Sequence, residues 1–199
     1  MAAELWAARL ERPLTEQEEA ALLAALPPER RERLLRLRRR EQRREPLCAY
    51  GLLRTALRER YGWRELPPMA PDSRGKPCFP DHPEVHFNLS HTAGAVLVGL
   101  ADRPIGVDIE QVRLPGQHLL RRMGEDLSPE EFCRLWVRRE ARAKRSGAGV
   151  SALLGPEPPL EPGEFCYGLE LFPGYAACVA IRDAEPPGPP RVCPLEALV

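Results

Sequence analysis

The chain has 199 residues, and its 29 basic and 29 acidic side chains cancel to a formal net charge of zero. Since 43% of the residues are hydrophobic, the chain can bury a core, which excludes wholesale disorder. The balanced charge argues against a protein built to coat nucleic acid. No apolar run approaches the roughly 20 residues that a bilayer span needs, and residues 1–12 lack the apolar segment of a signal peptide. We therefore expect a cytoplasmic protein without a membrane or nucleic-acid partner.

The first third of the chain predicts helices followed by a loop. Thr15 opens a capping box, and the apolar residues after it predict a short helix that ends before Pro27. A second helix is predicted over about residues 46–60, where leucines recur at helical spacing. Between the two helices, residues 29–45 hold nine arginines and four glutamates. Five prolines between residues 66 and 83 predict a loop with extended pieces.

The rest of the chain predicts strands on both sides of one long helix. Alternating or β-branched segments predict strands at residues 85–89, 94–100, 105–109, 165–171 and 175–181. The second and third of these are expected to form a hairpin around residues 102–104, and the last two to form another. A capping box at Ser128 predicts a helix that runs to about Arg145. This order of elements favours an α+β fold with two small lobes divided near Arg103.

Two carboxylates lie on one face of a predicted strand. Asp108 and Glu110 are two residues apart, so their side chains point the same way, while Val107 and Ile109 take the buried face. Paired carboxylates repel one another unless a cation lies between them, and Mg²⁺ prefers such hard oxygen ligands. The alternative is a strand whose polar face simply contacts water.

The long helix carries a second candidate group. Trp136, Glu140 and Lys144 share one face, and the tryptophan indicates that this face is partly buried. A buried glutamate and lysine would need partners. The alternative is a surface ion pair between Glu140 and Lys144. Only two of the 29 basic residues are lysines, so a lysine at this position is an exception in a chain that otherwise uses arginine.

The segment before Asp108 contains groups that could hold a phosphate. Ser90 and His91 lie at the end of a predicted strand, where hydroxyl, imidazole and backbone N–H groups can bind an anion. Lys76 lies in the proline-constrained loop upstream, and lysine is a good point-charge binder of phosphate. The alternatives are a polar turn and a solvated lysine.

Taken together and in this order, these motifs match a known family. The matching segments are Gly75-Lys76-Pro77, Phe87-Asn88-Leu89-Ser90-His91, Ile105-Gly106-Val107-Asp108-Ile109-Glu110 and the helix from Trp136 through Arg139-Glu140-Ala141 to Lys144. They closely resemble the 4′-phosphopantetheinyl transferases of the larger, surfactin-synthetase-activating type. The resemblance implies a monomer folded as a pseudo-dimer of two similar lobes. Residues 1–103 would form the lobe on the coenzyme A nucleotide side, and residues 104–199 the lobe with the metal and the catalytic helix.

The resemblance also implies the activity and its metal. It implies transfer of 4′-phosphopantetheine from coenzyme A to a serine of an apo acyl or peptidyl carrier protein. Asp108, Glu110 and Glu140 would hold Mg²⁺ on the coenzyme A pyrophosphate. Glu140 would also act as the general base for the carrier serine, and Lys144 would stabilise charge on the pyrophosphate.

The coenzyme A side is implied in the same way. Lys76, Ser90 and His91 would bind the nucleotide end and its phosphates. The family places an arginine for a coenzyme A phosphate early in the second helix, where this chain has Glu45, and with a slip of one residue Arg44 would take that role. The stretch from Glu110 to Trp136, which contributes to carrier docking in the family, is shorter than is typical.

Two other functions remain to be compared with this one. A degenerate relative could bind coenzyme A or a carrier protein without turnover, and Arg139 in place of the family's lysine favours that alternative slightly. The intact acidic group and Lys144 oppose it. An RNA-binding helix over residues 30–44 is disfavoured by the interspersed glutamates and by the neutral chain.

Overall fold

The computed structural model describes residues 3–113, 116, 127–149 and 157–199. Within these ranges the α-helices are α1 (Glu16–Ala24), α2 (Pro28–Leu35), α3 (Arg44–Tyr61) and α4 (Pro129–Ser146). The longer strands are β1 (Glu4–Arg9), β4 (His86–Thr92), β5 (Ala95–Ala101), β6 (Ile105–Gln111), β7 (Phe165–Leu169) and β8 (Tyr175–Ile181). The two-residue strands are β2 (Ala70–Pro71), β3 (Pro77–Cys78) and β9 (Arg191–Val192). Short 3₁₀ helices cover Arg40–Arg43 and Leu195–Leu198.

The longer strands form two sheets. The first sheet has the order β4-β5-β1-β9, and the second has the order β6-β8-β7. Neighbouring strands are antiparallel except for β1 and β9, which are parallel. Strands β2 and β3 form a separate small hairpin. The mixture of helices and small antiparallel sheets confirms the α+β fold class.

The two sheets pack face to face between two helices. One face of the first sheet, including Trp6 and Val98, buries its side chains against α3. Its other face, including Leu97, packs on Val107 and Val179 of the second sheet. The far side of the second sheet buries alanines and Cys178 against α4. The layers therefore run α3, first sheet, second sheet, α4, because alternate residues of each central strand face opposite layers.

Local sequence signals account for the placement of α4. Ser128 Oγ accepts from the Glu131 backbone N–H, and the Glu131 side chain accepts from the Ser128 N–H, so the predicted capping box is confirmed. Gly147 ends the helix with φ of 72°, a left-handed conformation that favours glycine. At Gly106 the backbone of β6 comes so close to α4 that a Cβ would collide with the Ala141 carbonyl oxygen. The helix that carries Glu140 therefore lies directly on the strand that carries Asp108.

Strands β4 and β6 are joined by side chains across the boundary between the sheets. Asn88 Oδ1 accepts from the Val107 N–H at 2.8 Å, and Ser90 Oγ accepts from the Ile109 N–H at 3.2 Å. Because alternate β4 side chains reach β6, we call this set of contacts the β4–β6 seam. The seam replaces a backbone ladder at this edge and brings the polar segment of β4 against the carboxylates of β6.

The hairpin predicted between residues 94–100 and 105–109 is wrong. Strand β5 pairs with β4 and β1, while β6 pairs with β8 in the other sheet. The connection at residues 102–104 passes the chain from one sheet to the next, since the apolar side chains of β6 pack on the face of the first sheet. The second predicted hairpin is confirmed as β7 and β8.

The end of the chain returns to the first sheet. Cys193 N–H donates to the Ala7 carbonyl at 2.8 Å, and Leu195 and Leu198 join the core beneath α3. Thr55 Oγ1 donates to the Ala197 carbonyl at 2.7 Å. The division at residue 103 into two lobes stays a prediction. Among the described residues, no helix combines the length and the apolar character needed to cross a membrane.

Candidate functional site

Asp108 is the most deeply buried carboxylate of the predicted site. Its residue surface is 2% exposed on β6. The Oδ1 atom accepts from Ser90 Oγ at 2.7 Å and from Lys144 Nζ at 2.6 Å. The Oδ2 atom is buried and has no hydrogen-bond partner in the described part of the chain. One oxygen of a buried carboxylate is therefore uncommitted, which is costly unless a further group binds it.

Lys144 lies where the acidic side chains meet. Besides Asp108, its Nζ atom lies 3.1 Å from Ser90 Oγ and 3.9 Å from Glu140 Oε2, one turn earlier on α4. The ammonium group thus contacts carboxylates from both β6 and α4. The pair between Glu140 and Lys144 forms, but it is partly buried rather than on the open surface, and the lysine makes its closer contact with Asp108.

Glu110 and Glu140 complete a concentration of negative charge. Burial raises the pKa of Glu110, and the charge of Asp108 raises it further, while Thr92 Oγ1 donates to its Oε2 atom at 2.8 Å. Burial likewise raises the pKa of Glu140, followed by the charges of Asp108 and Glu110. Lys144 and, near Glu110, Arg113 are the positive charges beside these three carboxylates, so negative charge exceeds positive charge in this group.

The donor set fits a hard divalent cation. Carboxylate oxygens are the ligands that Mg²⁺ takes, and Asp108 Oδ2 is buried without a partner. Within the described ranges, however, no three His, Cys, Asp or Glu side chains lie close enough together to hold an ion as they stand. The described residues therefore provide a group of carboxylates with excess negative charge, in which Asp108 Oδ2 is buried without a hydrogen-bond partner.

A cavity of about 990 Å³ lies beside the β4–β6 seam. Helix α2 contributes Arg30, Arg33 and two glutamates to its lining, and the residue that caps the helix at its C-terminal end, Arg36, also lines it. Strand β4 contributes Phe87, Asn88, Leu89 and His91. Since Ser90, between these residues, reaches Asp108 instead, one strand connects the cavity to the carboxylates.

The sequence analysis did not name Arg30, Arg33 and Arg36 as site residues, although it noted the arginine-rich stretch in which they lie. Their i, i+3, i+6 spacing, from α2 into its C-cap, is the signal that would have placed them on one side of the helix. The guanidinium groups give the cavity fixed positive charge, because arginine does not lose its proton in proteins.

His91 lies at the edge of the same cavity. The residue is exposed, but the protein that surrounds its imidazole lowers the pKa by desolvation, and the positive charge of Lys144 lowers it further. The imidazole therefore lies within electrostatic reach of Lys144 and contacts the cavity from the β4 side.

Lys76 lies apart from this group. Its Nζ atom donates to the Ile105 carbonyl at 2.6 Å, and its side chain lines a second cavity of about 430 Å³. Burial lowers the pKa of Lys76 to about 8. Its neighbours Gly75 and Pro77 line the larger cavity, but Lys76 itself does not. The structure thus places the Lys76 amine at the start of β6.

Arg44 is also held away from the lining of the larger cavity. Its Nη2 and Nε atoms donate to Glu45 Oε1 at 2.6 and 3.1 Å, and this oxygen also lies 3.3 Å from the Gly94 N–H. Arg44 and Glu45 therefore join α3 to the turn between β4 and β5. Of the predicted site residues, the structure brings together Ser90, Asp108, Glu110, Glu140 and Lys144.

The chain is similar to curated proteins named as 4′-phosphopantetheinyl transferases. It is 33% identical over 89 aligned residues to the 4′-phosphopantetheinyl transferase Sfp of Bacillus subtilis (strain 168), covering 39% of this chain and 40% of that protein. A second Bacillus subtilis 4′-phosphopantetheinyl transferase is 27% identical over 151 residues, covering 67% of this chain and 66% of that protein. The transferase AcpT of Escherichia coli O157:H7 is 31% identical over 100 residues, covering 43% and 51%.

The matched region spans about 40% of the length of Sfp. No family model matches the chain. The resemblance predicted from the motifs is confirmed by these relatives, which are transferases by name.

Proposed function

We propose that this relative of the 4′-phosphopantetheinyl transferases moves the 4′-phosphopantetheine group of coenzyme A to a serine of an apo acyl or peptidyl carrier protein. The observation that carries the proposal is the position of β4. Its residues line an arginine-rich cavity, and its Ser90 contacts the buried carboxylate Asp108. A donor with a nucleotide at one end and a pyrophosphate beside it needs this combination of adjacent sites.

The cavity supports the donor assignment. Its volume of about 990 Å³ lies at the upper end of the range for small-molecule sites. Arg30, Arg33 and Arg36 supply the charge that a phosphate-bearing nucleotide needs. His91 would meet the same end of the donor. Lys76 would take part through a shift of its amine from Ile105, since its neighbours already line the cavity.

The carboxylates support a metal-assisted transfer. Asp108, Glu110 and Glu140 would hold Mg²⁺, with Asp108 Oδ2 as the oxygen that has no other partner. When bound, the ion would supply positive charge to the pyrophosphate. The uncommitted oxygen and the excess of negative charge are properties of this chain that favour a divalent cation over an additional amine.

The side chains of α4 would then act on the reacting groups. Lys144 has its amine among the carboxylates, so it would stabilise negative charge on the donor pyrophosphate. Glu140 lies on the same face one turn earlier and would accept the proton of the carrier serine. The residues between 111 and 135 are expected to contribute to carrier docking, and 12 of these 25, at 114–115 and 117–126, lie outside the described residues.

The proposal is tested by mass spectrometry of a panel of apo carrier proteins incubated with this protein, coenzyme A and Mg²⁺. We expect at least one carrier to gain the mass of one phosphopantetheinyl group. Glu140→Gln should slow the transfer by roughly 10²–10⁴, the usual contribution of a positioned base. Glu170→Gln, at an exposed glutamate between β7 and β8, is the control and should leave the rate unchanged.

Two outcomes would contradict parts of this assignment. A wild-type protein that binds coenzyme A but modifies no carrier, at any pH or with any divalent metal, would be the binding-only relative. If the wild type modifies a carrier and Glu140→Gln does so equally fast, the protein is a transferase whose base lies elsewhere.

A further inference from the structure

The side chain of Asp72 holds the conformation of the turn between β2 and β3. Asp72 Oδ1 accepts from the backbone N–H of Arg74 at 2.8 Å and of Lys76 at 2.9 Å. The Gly75 N–H donates to the Asp72 carbonyl at 3.0 Å. We call residues 72–76 the hairpin turn. Because one carboxylate holds both amides, the directions of the Arg74 and Lys76 side chains are set together.

Arg74 reaches the end of α4. Its Nη1 atom donates to the Ser146 carbonyl, one of the terminal carbonyls that a helix leaves without an internal partner. The side chain also lies against Gly147, where a Cβ would be 2.9 Å from both Cβ and Cδ of Arg74. The glycine at the end of the helix thus makes room for the arginine as well as for the left-handed turn.

Lys76 reaches the other element of the site. Its Nζ atom donates to the Ile105 carbonyl at the start of β6, three residues before Asp108. Two basic side chains of one short turn therefore contact β6 and α4, the elements that supply the carboxylates and Lys144. On its other side, the same hairpin contributes Pro71, Gly75 and Pro77 to the lining of the 990 Å³ cavity.

The geometry points to Arg74 as a positioning residue that couples occupation of the cavity to the placement of α4. This inference rests on the proposed function. A donor whose nucleotide end packs against Gly75 and Pro77 fixes the hairpin turn, and Arg74 then fixes the last turn of α4. Binding energy from a part of the substrate remote from the reaction would in this way be used to orient Glu140 and Lys144.

The test compares two donors in wild type and Arg74→Ala. One donor is coenzyme A, and the other is pantetheine 4′-diphosphate, which lacks the nucleoside that would contact the hairpin. We expect Arg74→Ala to lower kcat about tenfold with coenzyme A and to leave kcat with the truncated donor unchanged. The dissociation constant for coenzyme A should change less than about twofold, because Arg74 does not line the large cavity.

Two further variants separate coupling from helix stability. Arg74→Lys keeps a donor for the Ser146 carbonyl and should recover most of the lost rate. Arg64→Ala removes another exposed arginine, one with no hydrogen bond or ion pair among the described residues, and should have no effect. If Arg74→Ala slows both donors equally, the residue acts only as a helix cap and the inference is overturned.

A measurement without turnover distinguishes this inference from the proposed function. Saturating coenzyme A should slow backbone hydrogen exchange in the last turn of α4, at residues 143–147, in wild type and in Arg64→Ala but not in Arg74→Ala. Such a result, with no carrier modified, would uphold the coupling and reject the transfer. If coenzyme A leaves exchange at residues 143–147 of the wild type unchanged, or does not bind, the coupling is wrong.

Discussion

Ser90 Oγ lies 2.7 Å from Asp108 Oδ1, and the same hydroxyl accepts from the Ile109 N–H at 3.2 Å. A single serine therefore joins the two sheets and orients the most buried carboxylate of the site. Because one atom serves both purposes, the β4–β6 seam and the candidate site cannot be changed independently at this position.

Ser90→Ala should weaken both the fold and the activity. The substitution leaves the Ile109 N–H without its acceptor and removes a donor from Asp108, which we expect to cost about 1–3 kcal/mol of unfolding free energy. Thr15→Ala, which removes the cap of α1, should cost about 1 kcal/mol and leave transfer near wild type. Urea unfolding and carrier modification measured on both variants check this. A full rate in Ser90→Ala would show that Asp108 needs no orientation from β4.

Asp108→Asn should abolish the response of the protein to Mg²⁺. The amide keeps the shape but removes the charge that faces Lys144 and the oxygen proposed for the ion, so transfer should fall by roughly a hundredfold or more. Thermal unfolding with and without Mg²⁺ provides a readout apart from activity. The wild type and Asp81→Asn, an exposed control, should be stabilised by the ion, and Asp108→Asn should not. Equal stabilisation of all three would place the ion elsewhere.

Arg33→Ala should distinguish coenzyme A from its dephospho form. If the cavity holds the nucleotide end, the guanidinium contributes a charge-assisted contact to a phosphate, and its loss should cost about 1.5–3 kcal/mol of binding. His91→Ala, on the β4 side of the cavity, should show the same preference with a smaller loss. Arg38→Ala, at an exposed arginine that does not line the cavity, is the control. Calorimetry with both ligands decides, since equal losses for the two would exclude contact with the distinguishing phosphate.

Lys76 should make the free energy of unfolding depend on pH in the alkaline range. Burial lowers its pKa from 10.5 in the unfolded chain to about 8 in the folded protein, so between these values the unfolded state binds more protons. Stability attributable to Lys76 should therefore rise with pH from about 8 to 10.5, and below pH 8 the buried charge is unfavourable. Lys76→Met should lack this rise. The stability difference between wild type and variant, measured by urea unfolding from pH 7 to 10.5, should shift toward the wild type as pH increases, and a constant difference would contradict the prediction.

The sequence predicted those parts of the site that depend on one element at a time. The spacing of Asp108 and Glu110 put both carboxylates on one strand face, and the capping box at Ser128 set the start of the helix that carries Glu140 and Lys144. These relations follow from the periods of a strand and a helix, so they need no knowledge of how the elements pack.

The parts that failed depend on how elements pack against one another. The hairpin predicted between residues 94–100 and 105–109 was wrong. Strand β6 forms its backbone hydrogen bonds with β8, and its apolar side chains pack on the face of the first sheet. Strand β1 was missed because Leu5-Trp6-Ala7-Ala8 is buried on both faces and shows no alternation. The direction of Lys76 toward Ile105 was equally hidden, since it depends on where the hairpin turn lies relative to β6.

Because the end of the chain returns to the first sheet, the second sheet and α4 lie in the sequence between two parts of the first sheet. The second sheet and α4 leave the first sheet after β5 and come back to it at β9, so they form an insertion within the fold that β1 begins. Cys193, Leu195 and Leu198 complete a core whose other buried members come from the first hundred residues. If the second sheet and α4 unfolded locally, that segment of the chain would therefore remain connected at both of its ends to the folded first sheet.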